Sequence, residues 1–493
     1  MFYKSTRSTE AAAHSAAQAI KQGLASDGGL FVPQSIPQLS EEDIRSLCQK
    51  SYPERAAKIL SMYLTDYTEE ELLSDCAQAY STESFVGGAA PLVSVKAPME
   101  IMELWHGPTA AFKDMALQIM PRLLSRALVK TGEKRTSLIL VATSGDTGKA
   151  ALEGYKDIPG VKIMVFYPVD GVSHVQKLQM ATQTGGNVNV CAIKGNFDDA
   201  QNGVKEIFGD TTMAEKLNGE GYFLSSANSI NWGRLAPQIV YYVSAYCDLL
   251  NAGKCKMGEK FNVCVPTGNF GNIFAAYLAK RMGLPIHRMI CASNSNNILT
   301  DFLETGTYDR NRDFHLTMSP SMDILISSNL ERLLYFTAGS EKTAAYMKDL
   351  KEKGCYTVDT ETLKEIRENF VGYYASEDET AATIKRTYET CGYLADTHTA
   401  VAIHAAERYV SESGDLLPMV VDSTASPYKF ANNVYRSLTG KEPTSDLEAL
   451  DELSALTNTE IPYPLAGLAE RKVNFTKVCD KTEMAKSVLE YIL

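Results

Sequence analysis

The chain has no excess of positive charge, no basic run, no long apolar stretch and no closely spaced cysteine pair, and each absence removes a class of function. Lys and Arg number 48 against 60 Asp and Glu, for a formal net charge of −12. That balance argues against nucleic acid or an anionic membrane as a main partner, so any anionic ligand must meet a local positive site. Residues 1–29 hold no apolar core of signal-peptide type, and no stretch elsewhere approaches the length of a membrane span. A cytoplasmic location is expected. The 10 cysteines, Cys48, Cys191, Cys264 and Cys391 among them, are scattered without a C-x-x-C pair, which favours reduced, mostly buried thiols over disulfides or a zinc site. The seven histidines are dispersed too, with no metal-ligand spacing, so no metal is expected. Internal repeats, low-complexity tracts and flexible linkers are also missing, and oligomeric state, monomer or homodimer, has no signature.

What is present is an ordinary globular composition, 45% hydrophobic and 22% charged over 493 residues, enough for two or three domains. Short Val- and Ile-rich runs at 137–143, 161–167, 188–193, 262–266 and 289–292 are each followed by Gly, Ser or Asn and then a helix-like stretch. This alternation predicts an α/β protein with parallel sheet covered by helices. Residues 1 to about 98 instead show helical spacing at 41–50, 53–63 and 69–80, with Ser40 placed to cap the first of these. Beyond about residue 295 the strand signal thins, helices such as 363–370 and 379–390 dominate, and one more strand is expected at 417–421. The expected division is a helix-rich domain at 1–97, a large domain at 98–135 and 236–493, and a small α/β domain at 136–235.

Lys113 lies in His106-Gly107-Pro108-Thr109-Ala110-Ala111-Phe112-Lys113-Asp114, a polar turn that delivers one lysine to the start of an apolar helix. An amine used as a nucleophile needs a fixed approach and a partly dry pocket that lowers its pKa, whereas a solvated lysine needs neither. Three strand-to-loop junctions accompany it. The run at 138–143 ends in Ser144-Gly145-Asp146-Thr147-Gly148-Lys149, where hydroxyls and free N–H groups gather at a helix start suited to an anion. A Walker A loop would need Gly at Thr143 and Ser or Thr at Ala150, so that nucleotide-binding route is excluded; a plain βα turn stays open. The second junction, Thr267-Gly268-Asn269-Phe270-Gly271-Asn272, sets glycines around a short loop that opens a helix, a geometry suited to a phosphate without a cation, or to a glycine turn. The third, Asp422-Ser423-Thr424-Ala425-Ser426-Pro427-Tyr428-Lys429-Phe430, puts hydroxyls where ligands sit in open parallel sheets; alone it also reads as a Ser/Thr turn.

Together with Ser225-Ser226-Ala227-Asn228-Ser229-Ile230-Asn231, these motifs occur in the order found in threonine synthases, and the chain resembles the longer class of that family over nearly its whole length. The resemblance implies a pyridoxal-phosphate (PLP) enzyme of the tryptophan-synthase-β type (fold type II), with open parallel sheets in two domains plus a helical N-terminal domain. It implies that Lys113 forms the internal aldimine and moves protons, with Phe112 and Asp114 fixing its surroundings. Gly268, Asn269, Phe270, Gly271 and Asn272 would cradle the cofactor phosphate, Thr424 would face the pyridine nitrogen, and Asp146 would lie near the ring hydroxyl. A neutral hydroxyl at that nitrogen makes the ring a weaker electron sink than an aspartate would.

The implied substrate is O-phosphohomoserine, converted with water to L-threonine and phosphate by γ-elimination and β-addition in threonine biosynthesis, with small-molecule partners only. Thr143, Ser144 and Gly145 would hold its carboxylate; Thr147, Asn228, Ser229 and Arg234 would hold the leaving phosphate. A phospho-lyase or a serine/threonine dehydratase shares cofactor and lysine, and a catalytically silent PLP-binding homologue is a third alternative.

Overall fold

The computed structural model describes every residue of the chain except Ala12, Ser144 and Gly171. The N-terminal part is built from helices at Ala16–Gln22, Glu41–Cys48, Tyr52–Tyr63 and Glu69–Ala79, beside a two-stranded pairing of Tyr3–Ser5 with Phe31–Pro33. Ser40 caps the second helix as expected, its side chain accepting from the Asp43 N–H at 3.1 Å. The Arg55 guanidinium, buried, spans from this part to the long helix Trp232–Asn251, donating to the Ser244 Oγ at 2.7 Å and Asp248 Oδ1 at 2.8 Å.

Two open sheets form the rest. The larger has the order Phe370–Tyr374, Ile286–Ser293, Phe261–Pro266, Met419–Ser423, Met99–Glu103, Leu92–Lys96, parallel throughout except for the last, antiparallel pair. The smaller is fully parallel in the order Val478–Asp480, Val188–Lys194, Val161–Pro168, Thr136–Ala142, Tyr222–Ser225. All residues of Phe261–Pro266 are buried, because helices cover both faces of a central parallel strand, and this is why such strands read as continuous apolar runs. Its polar member, Asn262, is satisfied by the Asp415 carboxylate at 2.8 Å and the Arg288 N–H at 3.0 Å. Beyond residue 295 the structure holds more strand than expected, notably Phe370–Tyr374, and the helix expected at 363–370 ends at Asn369. The C-terminal strand Val478–Asp480 returns to the smaller sheet, within the stretch expected in the large domain.

Candidate active site

The strand Met99–Glu103 leads into the turn that carries Lys113, and this turn is braced from several sides. Asp114 accepts from the Thr109 N–H at 2.8 Å and the Thr109 hydroxyl at 2.7 Å. A Cβ on Gly107 would come within 2.6 Å of the Asp114 side chain, so glycine is required there. Ala110 sits in the left-handed region at φ 58°, a conformation that a residue with a side chain holds only when its surroundings enforce it. The Phe112 N–H donates to the Thr424 carbonyl at 2.8 Å, and Ala111 bridges to Ala425. Lys113 and the hydroxyl at the end of Met419–Ser423 are thus stitched together by backbone. His106, by contrast, is committed to Glu103 Oε2 at 2.8 Å and the Val86 carbonyl at 2.9 Å.

Around the Lys113 Nζ stand Ser321 Oγ at 3.3 Å, Asp146 Oδ2 at 3.7 Å and the Phe112 ring at 5.7 Å to its centroid. Burial lowers the Lys113 pKa, Asp146 partly opposes this, and the nearby Arg234 and Lys429 charges push it down further. That is the environment an amine needs to react near neutral pH. Asp146 is itself enclosed, with Lys429 Nζ at 3.0 Å and Gln176 Nε2 at 2.9 Å. Burial alone would raise its pKa, but Lys429 and Lys113 outweigh burial and hold the carboxyl well below the usual carboxylate range. Lys429 also donates to the Thr109 carbonyl at 3.0 Å, so one cation ties the Lys113 turn to the smaller sheet's loop.

The 268–272 loop leaves Phe261–Pro266 and opens the helix Gly271–Arg281. Phe270 holds φ 61° at the N-cap, no side chain caps the first turn, and a Cβ on Gly268 would meet the Ser321 carbonyl at 2.9 Å. The first-turn N–H groups of such a helix have no intrahelical acceptor and carry the positive end of its dipole, so the loop suits a phosphate. The Asn272 side chain points elsewhere: it accepts from Tyr241 and Tyr242, each at 2.5 Å, and donates to Asp422 Oδ2 at 2.9 Å. Only its backbone faces the loop.

The remaining residues lie around this centre. Thr143 Oγ1 accepts from the Gly145 and Gly148 N–H groups, both at 3.0 Å, bracing the turn at the start of Asp146–Tyr155. Thr147 is half-buried on that first turn, and Ser144 lies outside the described residues. Asn228 is exposed and Ser229 half-buried, ahead of the helix Trp232–Asn251. Arg234 in its first turn is buried, with Nη1 donating to the Ala227 carbonyl at 2.8 Å. Among the described residues it has no carboxylate at ion-pair distance, and burial pushes its pKa down to about 10, so it stays a cation at neutral pH.

Sequence reasoning singled out no role for Lys429 and missed Ser321, Gln176 and Asn329. Lys429 stood inside a recognised motif; the others carry no local signal.

The comparisons agree with this architecture. Residues 2–80 match the family model "Threonine synthase N terminus", residues 91–417 match "Pyridoxal-phosphate dependent enzyme" and residues 399–489 match "Threonine synthase, C-terminal". The chain is 41% identical to Threonine synthase-like 1 of Homo sapiens over 89% of its own length, but spans 60% of that relative. It is 39% identical to the Threonine synthase of Pseudomonas aeruginosa over 99% of this chain and 97% of that one. The crystal structure of PLP-bound Threonine synthase from Brucella melitensis superposes with a TM-score of 0.88 at 39% identity, covering 100% of this chain and 98% of the other. The chain belongs to the threonine synthase family of pyridoxal-phosphate-dependent enzymes.

Proposed function

We propose that the protein is a cytoplasmic threonine synthase, converting O-phosphohomoserine and water to L-threonine and phosphate with PLP. The observation that carries the substrate assignment is Arg234, a buried cation with only a carbonyl partner among the described residues, close enough to Lys113 for its charge to depress that amine. In a chain of net charge −12, a desolvated guanidinium is maintained at a cost, and a doubly anionic leaving group offsets it. When bound, the cofactor supplies an electron sink for charge developing next to the substrate's α-carbon.

In this reading Lys113 would hold the cofactor and then move protons, taking them at Cα and Cβ and returning one at Cγ. Phe112 would wall its approach. The N–H groups of Gly268, Asn269, Phe270, Gly271 and Asn272 would take the cofactor phosphate, Thr424 the ring nitrogen. Asp146, pinned as an anion by Lys429, would keep a fixed negative charge near the ring hydroxyl and orient Lys113. Thr143, Ser144 and Gly145 would take the substrate carboxylate; the Thr143 oxygen already accepts two N–H bonds, which leaves its O–H to donate. Thr147, Asn228, Ser229 and Arg234 would take the leaving phosphate.

Arg234→Ala tests the substrate side. Losing a charge-assisted bond to phosphate should lower kcat/KM for O-phosphohomoserine by about 30- to 150-fold, corresponding to about 2–3 kcal/mol, with PLP content unchanged. Normal turnover, or loss of PLP instead, removes Arg234 from the phosphate site.

A further inference from the structure

We infer that the N-terminal domain positions the substrate-phosphate loop, through Arg332 and Asn231. The inference rests on assigning 228–234 to that phosphate. The Arg332 side chain is fully buried, and among the described residues no carboxylate lies at ion-pair distance. Its three nitrogens go to three separate parts of the molecule: Nε donates to the Phe31 carbonyl of the N-terminal pairing at 3.0 Å, Nη2 to the Ile230 carbonyl at 2.5 Å, and Nη1 to Asn329 Oδ1. Asn329 in turn donates from Nδ2 to the Ser229 carbonyl at 3.3 Å and the Asn269 carbonyl at 3.0 Å. One guanidinium therefore joins the N-terminal strand, the loop before Trp232–Asn251 and, through an amide, the 268–272 loop.

Asn231 supplies a second strut. Its Oδ1 caps the helix at the Gly233 N–H at 2.9 Å while its Nδ2 donates to the Ile20 carbonyl at 2.9 Å, on the first N-terminal helix. Next to Arg332, Glu331 accepts from the Arg7 Nε and Nη2 at 2.9 and 2.8 Å. Burial pushes Arg332 down to about 9 although the neighbouring Glu331 charge partly opposes it, so this apparatus holds a desolvated cation at neutral pH. Such a charge weakens a fold unless its geometry is used, and a planar fork satisfying three carbonyl-type acceptors at once fixes orientation in a way that a lysine cannot. What it orients is the loop that presents Asn228, Ser229 and Arg234.

Arg332→Lys and Asn231→Ser, in the full PLP-loaded chain, test this; serine keeps the cap and loses the strut to Ile20. For Arg332→Lys, the KM for O-phosphohomoserine and the inhibition constant of inorganic phosphate should rise together by about ten- to a hundredfold, with kcat changed less than about threefold and the cofactor spectrum unchanged. Asn231→Ser should move both constants the same way by about three- to tenfold, and decides the matter if Arg332→Lys does not fold. Unchanged constants in the folded variants, or loss of PLP matching the loss of phosphate affinity, would overturn the inference. Arg234→Ala run in parallel separates the two layers: if it leaves phosphate inhibition untouched, the reading of the loop fails, whereas if it alone weakens phosphate, only the role of the N-terminal domain fails.

Discussion

Replacing Lys429 by Met removes the cation that neutralises a buried carboxylate at the centre of the site. The Lys429 side chain is fully buried, 3.0 Å from Asp146, and among the described residues the carboxylate left behind would keep Gln176 at 2.9 Å, Ser321 at 3.3 Å and Lys113 at 3.7 Å. Breaking a buried pair by deleting one partner costs about 3–5 kcal/mol, and the remaining Lys113 places this case at the lower end, about 3 kcal/mol. With about 2.1 cal/mol/K of unfolding entropy per residue over 493 residues, about 1 kcal/mol/K, that is a fall in Tm of about 3 °C. Thermal unfolding of Lys429→Met, Asp146→Asn and the double variant at pH 7 measures it, and the double variant should recover at least half of the summed losses. Lys113 should change too: without Lys429 its pKa rises, so half-maximal PLP incorporation moves to higher pH. A Tm within 1 °C of the parent, or strictly additive losses, would refute the view that Asp146 is held ionised by this lysine.

Borohydride reduction of the PLP-loaded protein should fix the pyridoxyl group on Lys113, and peptide mapping that finds it on another lysine would remove Lys113 from its role. Burial raises Asp422 from its ordinary 3.8 to about 7, so between those values the folded chain keeps a proton that the unfolded chain has released. Its contribution to stability is therefore full below about pH 4 and declines as pH rises through 7. The Tm difference between the parent and Asp422→Asn should shift against the parent by about 2–3 °C from pH 5 to pH 8, the order set by the roughly two pKa units of the shift that lie between pH 5 and 7; a constant difference would mean that Asp422 is ionised at both.

How much was legible depended on whether meaning resided in local pattern. The strands at 136–142, 161–168, 188–194 and 261–266 announced themselves because burial on both faces makes them predominantly apolar runs followed by turn residues. Met99–Glu103 is fully buried as well, but its two glutamates masked it; His106, three residues on, answers Glu103, while Glu100 is answered by Lys254, a partner that no local window contains. Val478–Asp480 is three residues long with only Cys479 buried, too short to show a period. In the site, Lys113 and the glycine loops stood out through motif order. Lys429, Ser321 and Arg332 acquire meaning only from what folding brings against them, Asp146, the Lys113 amine and the Phe31 carbonyl in turn. Asn272 shows the converse, since its place in a phosphate-like loop did not reveal that its side chain belongs to the Tyr242–Asp422 network.

Incubating the purified, PLP-loaded protein with O-phosphohomoserine and identifying the products tests the central claim most directly. L-threonine and inorganic phosphate in equal amounts are expected, with one atom of solvent oxygen in the threonine hydroxyl when the reaction runs in labelled water. Release of a keto acid and ammonia with the phosphate, or no turnover by a protein that has bound PLP on Lys113, would contradict it.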